Sequence, residues 1–170
     1  LVEQWFGVMV DRGVPLNVQH YNVVISACGR AGDAERAELW LRRLQAEADV
    51  EHAESLEPTC RSYTTAAKAY ALRGKWQDTE RIFADMESRG LALDAWGLSV
   101  LLSSYLRGRG SRRLPMTSTR ARGEAAFRKH VAADLEVTWP PLRALRGLIG
   151  KSRFEELCAE LKVDLASVPE

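Results

Sequence analysis

The chain is expected to be all-α, a stack of helix-turn-helix units, and two observations carry that expectation. A stripe of apolar or small residues at i, i+3, i+4 and i+7 recurs seven times in 170 residues. The segments that close successive pairs of stripes each end on a residue able to cap a helix. The stripe is the face that an α-helix, not a strand, turns toward a core. Units that each carry two such stripes bury them by stacking on one another.

Taken in order, Val2, Trp5, Phe6 and Met9 form the first stripe. It has the character of the second helix of a unit, so a partner helix is expected upstream of Leu1, removed by fragmentation or processing. Tyr21, Val24, Ile25 and Cys28 predict the next helix, and Ala37, Trp40, Leu41 and Leu44 its partner. Between them Gly32-Asp33 suits a tight turn followed by an N-cap. Tyr63, Ala66, Ala67 and Tyr70 repeat the first role, and Thr79, Ile82, Phe83 and Met86 the second. A third round reads Leu98, Leu101, Leu102 and Tyr105, then Gly123, Ala126, Phe127 and His130. In the tail, Leu142, Leu145 and Ile149 keep most of a stripe, and Phe154 to Leu161 suggests a short capping helix.

The closing segments Gly13 to Asn17, Ser55 to Thr59, Gly90 to Asp94 and Asp134 to Thr138 align with one another. Asn17, Thr59, Asp94 and Thr138 are each expected to accept a hydrogen bond from the free N–H groups of the following helix. Counted from cap to cap, the chain divides into 1–17, 18–59, 60–94, 95–138 and 139–170, and the 60–94 unit is 35 residues long. Two units are longer. An acidic insertion around Ala48 to Glu54 adds about two helical turns and reads as a lengthened helix. A second insertion, roughly Gly108 to Arg122 and rich in Gly, Ser, Thr and Pro, reads as an exposed loop.

Tyr21-Asn-Val-Val-Ile-Ser-Ala-Cys-Gly-Arg-Ala-Gly-Asp33, continuing to Ala37-Glu-Leu-Trp-Leu41, strongly resembles the pentatricopeptide repeat. So does Ser62-Tyr-Thr64 through Arg81-Ile-Phe-Ala-Asp-Met86 to Gly90. The tetratricopeptide repeat fits less well, because no unit shows its Trp-x2-Leu-Gly-x2-Tyr opening. The resemblance covers about residues 1–138 and implies a right-handed α-solenoid. In that family each repeat presents one base-reading unit to single-stranded RNA. A polar residue near the start of the first helix acts there with the last residue of the repeat. The matching pairs are Asn22 with Thr59, Thr64 with Asp94, and Ser99 with Thr138, and the second pair implies a preference for guanine. At the position that flanks the base, where the family usually carries a small aliphatic residue, this chain holds Gln19, Arg61 and Trp96. The same residues are also explained as helix caps and as polar faces of half-buried helices.

Charge and chemistry narrow the function further. Lys plus Arg is 24 and Asp plus Glu 23, so the net charge of +1 gives no strong general attraction to polyanions. No run approaches the length of a membrane span. Cys28, Cys60 and Cys158 are odd in number and scattered, which argues against a disulfide framework or a CxxC metal site. His20, His52 and His130 lack metal-ligand spacing, and His130 falls at a stripe position, so it reads as a packing histidine. Gly150-Lys-Ser152 imitates the end of a phosphate-binding loop, but Leu145 stands where the loop's first glycine belongs. No enzyme, cofactor, metal or small-molecule substrate is expected. Arg107, Arg109, Arg112, Arg113, Arg120 and Arg122 could hold phosphates or dock on an acidic protein surface.

Two functions stay open at this level. One is single-stranded RNA binding in organellar RNA processing, stabilisation or translation. The other is a protein-binding scaffold within a large organellar complex such as a ribosome, photosystem or respiratory assembly. In either case the resemblance implies a mitochondrion or plastid.

Overall fold

Helices account for each stripe in a computed structural model, which describes residues 2–51, 54–108 and 116–168. In order these are α1 (Val2–Asp11), α2 (Val18–Arg30), α3 (Ala34–Glu51), a 3-10 turn at Glu54–Leu56, α4 (Cys60–Ala71), α5 (Trp76–Ser88), α6 (Ala95–Gly108), α7 (Met116–Ala132), α8 (Trp139–Ile149) and α9 (Lys151–Glu160). Two compact units divide them. The first comprises residues 1–69 and 82–91, the second residues 70–81 and 92–170. Arg109, Arg112, Arg113 and His52 lie outside the described residues.

In the first unit α1 packs on α2 and α2 on α3. Tyr21, Ile25, Leu41, Leu44 and Tyr63 form its interior. The acidic insertion continues α3 to Glu51 as helix, and Arg89 anchors that extension by ion-pairing Asp49 at 3.1 Å. Buried polar groups are matched across helices: the Gln45 amide nitrogen donates to Tyr63 Oη at 2.9 Å and to Asp85 Oδ2 at 2.6 Å. One stripe departs from expectation. Phe6 is buried, but Trp5 is 64% exposed, because α2 covers only the Phe6 side of α1.

In the second unit α6 packs on α7 and α8, α7 on α8, and α8 on α9. Gly123 lets α7 approach α8 closely: a Cβ there would stand 2.3 Å from Leu148 Cδ2. Helix α7 starts at Met116, so Arg120 and Arg122 are helical where a loop was expected. The buried face runs one turn further back through Thr119, a polar residue that a search for apolar stripes passes over. His130 is buried, with Nδ1 3.2 Å from the Leu93 carbonyl and Nε2 2.9 Å from that of Glu136. It ties two closing segments together.

Three of the four expected caps make local side-chain bonds. Asn17 Oδ1 accepts from the N–H groups of Gln19 and His20 at 3.0 and 3.2 Å. Asp94 Oδ1 accepts from the Gly97 N–H at 2.7 Å. Thr59 meets Ser62 instead, donating its N–H to Ser62 Oγ at 3.2 Å while the two hydroxyls lie 3.3 Å apart. Thr138 makes no side-chain cap bond, which corrects the expectation. Pro140 and Pro141 occupy the second and third positions of α8 and have no N–H for the hydroxyl to receive.

Candidate nucleic-acid interface

Opposite its apolar stripe, α2 carries a second row at the same spacing: Gln19, Asn22, Val23, Ser26 and Arg30. Residues at i, i+3, i+4, i+7 and i+11 share one helix face. With Arg61 and Thr65 from α4 this row lines a groove of about 190 Å³ within the first unit. Thr65 is oriented by its own hydroxyl, which donates to the Arg61 carbonyl at 2.6 Å.

Asn22 is the chemically distinctive wall. It is only 6% exposed, and neither its amide oxygen nor its amide nitrogen has a hydrogen-bond partner in the protein. Leaving a buried polar group unmatched costs roughly 1–3 kcal/mol, so such groups are rare in folded interiors. An amide offers one acceptor and two donor hydrogens in a plane, which suits the edge of a nucleobase. Arg30 and Arg61 are exposed beside it and supply cationic, planar groups that can meet phosphate or stack on a base.

Thr64 repeats the pattern in α4. It is 3% exposed and its hydroxyl has no partner in the protein. Asp94 is exposed, and capping occupies its Oδ1. In the second unit Ser99 and Thr138 are half-buried and Trp96 is exposed. Sequence reasoning named Gln19, Asn22 and Arg61 but passed over Ser26, Arg30 and Thr65. Their signal was the shared period with Asn22 on α2 and the four-residue step from Arg61 to Thr65.

The arginines expected to dock divide differently. Arg122 pairs with Glu80 at 2.8 Å and lies over the Trp76 ring at 5.0 Å, so it is part of the packing of the second unit. Arg120 is half-buried with an unpartnered Nε, and Arg107 is exposed at the end of α6. Among the described residues no group of three His, Cys, Asp or Glu side chains could hold a metal ion. No described helix is long and apolar enough to cross a membrane.

Paired helices recurring at this period, with apolar stripes buried and a polar row lining a groove, define a helical-repeat protein of the solenoid class. The profile described as PPR repeat matches residues 19–47 and 61–91, and these two stretches are similar to pentatricopeptide repeats. Its fold is similar to that in the crystal structure of the pentatricopeptide repeat protein PPR10 in complex with an 18-nt psaJ RNA element. That match has a TM-score of 0.70 at 15% identity and covers 94% of this chain. The chain spans 22% of the PPR10 chain. No curated protein sequence matches it.

Proposed function

We propose that this chain is a recognition module for single-stranded RNA, with the groove at Asn22 as its best-formed contact. The carrying observation is the buried, unpartnered amide of Asn22 between two exposed arginines. A base entering the groove would supply the missing hydrogen bonds, and Gln19 and Arg61 would flank its faces. Thr64 with Asp94, and Ser99 with Thr138, are proposed as further reading pairs, the former for guanine. PPR10, of similar fold, was crystallised with RNA, which supports the same ligand class here. The activity is binding, not catalysis, in organellar RNA processing, stabilisation or translation, and the compartment is a mitochondrion or plastid.

The alternative, a scaffold that docks through its arginines on a large organellar assembly, has less support. Arg122, one of those arginines, is already engaged by Glu80. Fluorescence anisotropy with short labelled RNAs at low salt tests the proposal. Asn22→Ala and Arg61→Ala should each weaken binding by about tenfold, the loss expected for one stacked or hydrogen-bonded base. Unchanged affinity in both variants would sink the reading of this groove.

A further inference from the structure

Charge is sorted between the two kinds of helix. The first helices of successive units, α2, α4, α6 and α8, contain no Asp or Glu. Every carboxylate in a described α-helix stands in α1, α3, α5, α7 or α9. On these second helices arginines are taken up by the carboxylates of the next. Arg36 pairs with Glu3 at 2.6 Å, Arg122 with Glu80 at 2.8 Å and Arg153 with Glu124 at 2.7 Å. Helix α8 has the opposite character: Arg143 and Arg146 are exposed, and neither has an ion-pair partner among the described residues.

Register gives this face its meaning. Asn22, Thr64 and Ser99 stand five residues beyond Asn17, Thr59 and Asp94, and Arg143 stands five beyond Thr138. Helix α8 therefore carries a guanidinium where its counterparts carry an amide or a hydroxyl. Arg146 lies in the last turn, where the helix dipole favours a cation. That account does not extend to Arg143, in the middle of the helix. Like charges three residues apart on one face repel, and neither α8 nor α6, on which it packs, contains a carboxylate to offset this.

At the start of α8, Pro140 and Pro141 have no N–H, so an anion there finds few backbone donors and side chains must hold it. The same prolines leave the half-buried Thr138 with no cap bond, and its hydroxyl is uncommitted. A guanidinium has five donors and no acceptor. It meets two phosphate oxygens at once, but it leaves the acceptor-seeking groups of a Watson–Crick edge unmatched.

We propose that Arg143, Arg146 and the Thr138 hydroxyl form a site for the phosphates of single-stranded RNA, holding the strand beside the Ser99 position without reading a base. The site rests on the assignment of this chain as an RNA-binding module, and it adds a contact at which sequence is not sampled. RNA suits the face better than an acidic protein surface does. Helix α6 beside it presents an exposed indole at Trp96 and the half-buried hydroxyls of Ser99 and Ser103 on one face, groups that suit bases and riboses.

The test follows the side-chain Nε–H signals of Arg143 and Arg146 in the full chain by NMR, each identified with Arg143→Gln or Arg146→Gln, together with the Asn22 side-chain amide. Short oligo(U), oligo(A) and oligo(C), a guanine-containing strand and poly-Glu are titrated separately at one low ionic strength. Both arginine signals should move saturably, and to the same extent with every RNA. In anisotropy, Arg143→Gln should weaken binding of all these RNAs alike, by about threefold or more, and lower the salt slope by about 0.7. Movement of the Asn22 amide with both arginines unmoved overturns this site and leaves the groove standing, whereas the reverse pattern removes the groove and supports the site. If none of the three signals moves with RNA, both fall. Arginine signals that respond only to the guanine-containing strand overturn the proposal by making Arg143 a base reader. Poly-Glu binding there as tightly as RNA overturns it by assigning the face to an acidic protein.

Discussion

Thr64 and Asn22 are costly to the free protein in the way that binding residues often are. Each keeps polar atoms buried without a protein partner, at roughly 1–3 kcal/mol apiece. A residue kept for stability alone would be apolar at these positions. Thr64→Val replaces the hydroxyl by a methyl of similar size and should raise stability by about 1 kcal/mol. That corresponds to an increase of about 2–4 °C in Tm for a chain of this size. The same variant should bind guanine-containing RNA more weakly. Calorimetry and anisotropy on one preparation decide the matter: lower stability in Thr64→Val would show that the hydroxyl is already satisfied within the fold.

At the scale of elements, the second helices are held by carboxylates that serve two neighbours. Glu80 accepts from Tyr105 Oη at 2.5 Å and from Arg122. Burial, and then the Glu80 carboxylate, push the Tyr105 phenol well above its ordinary value of 10.0. Tyr21, against Glu47, and Tyr63, in the interior beside Gln45, are raised as well, mainly by burial. A phenol whose pKa is raised on folding stays protonated while the unfolded chain loses its proton. Its contribution is therefore complete below about pH 10 and is lost as pH rises beyond it. Urea unfolding at pH 8 and pH 11 should show a steep loss of stability in the wild type. Tyr105→Phe should be less stable at pH 8, by about 1.5–3 kcal/mol for the lost bond to a charged acceptor, but should lose less between the two pH values. An equal loss in both proteins would rule out Tyr105 as a contributor.

The helices themselves were legible because each stripe is a local pattern, set by the 3.6-residue period and closed by a cap. What the sequence hid depends on neighbours in space. Thr138 has the right residue type for a cap, but Pro140 and Pro141 remove the donors. Trp5 belongs to a sound stripe, yet whether it is covered depends on which helix stands beside it. The groove at Asn22 was half legible: the family resemblance pointed to Gln19, Asn22 and Arg61. That Asn22 is left unpartnered emerges only from the packing of α2. The joint between second helices was present as Arg36-Ala-Glu38, Arg122-Gly-Glu124 and Arg153-Phe-Glu155 in one register, but a charged pair flanking a stripe looks like a solvated face until its partner is known.

For the whole molecule, the balance of charge limits how RNA can be held. A net charge of +1 provides little long-range attraction, so affinity must come from local contacts. Three reading positions, Asn22, Thr64 and Ser99, would contribute about 1–3 kcal/mol each through stacked bases, before the cost of immobilising the strand. A Kd of 1 µM requires about 8 kcal/mol, so the chain by itself should bind single-stranded RNA no more tightly than the micromolar range. Its salt dependence should be shallow, with log K falling by about 0.7 per log unit of salt for each phosphate held. Arg30→Ala should remove about one such increment without changing the preference among bases. Lengthening the RNA beyond a few nucleotides should then raise affinity only through the larger number of equivalent registers. Anisotropy titrations across RNA length and salt concentration measure all three quantities. Submicromolar binding with a steep salt slope that survives Arg30→Ala would move the main contact from the groove of the first unit to the arginines between Arg107 and Arg128.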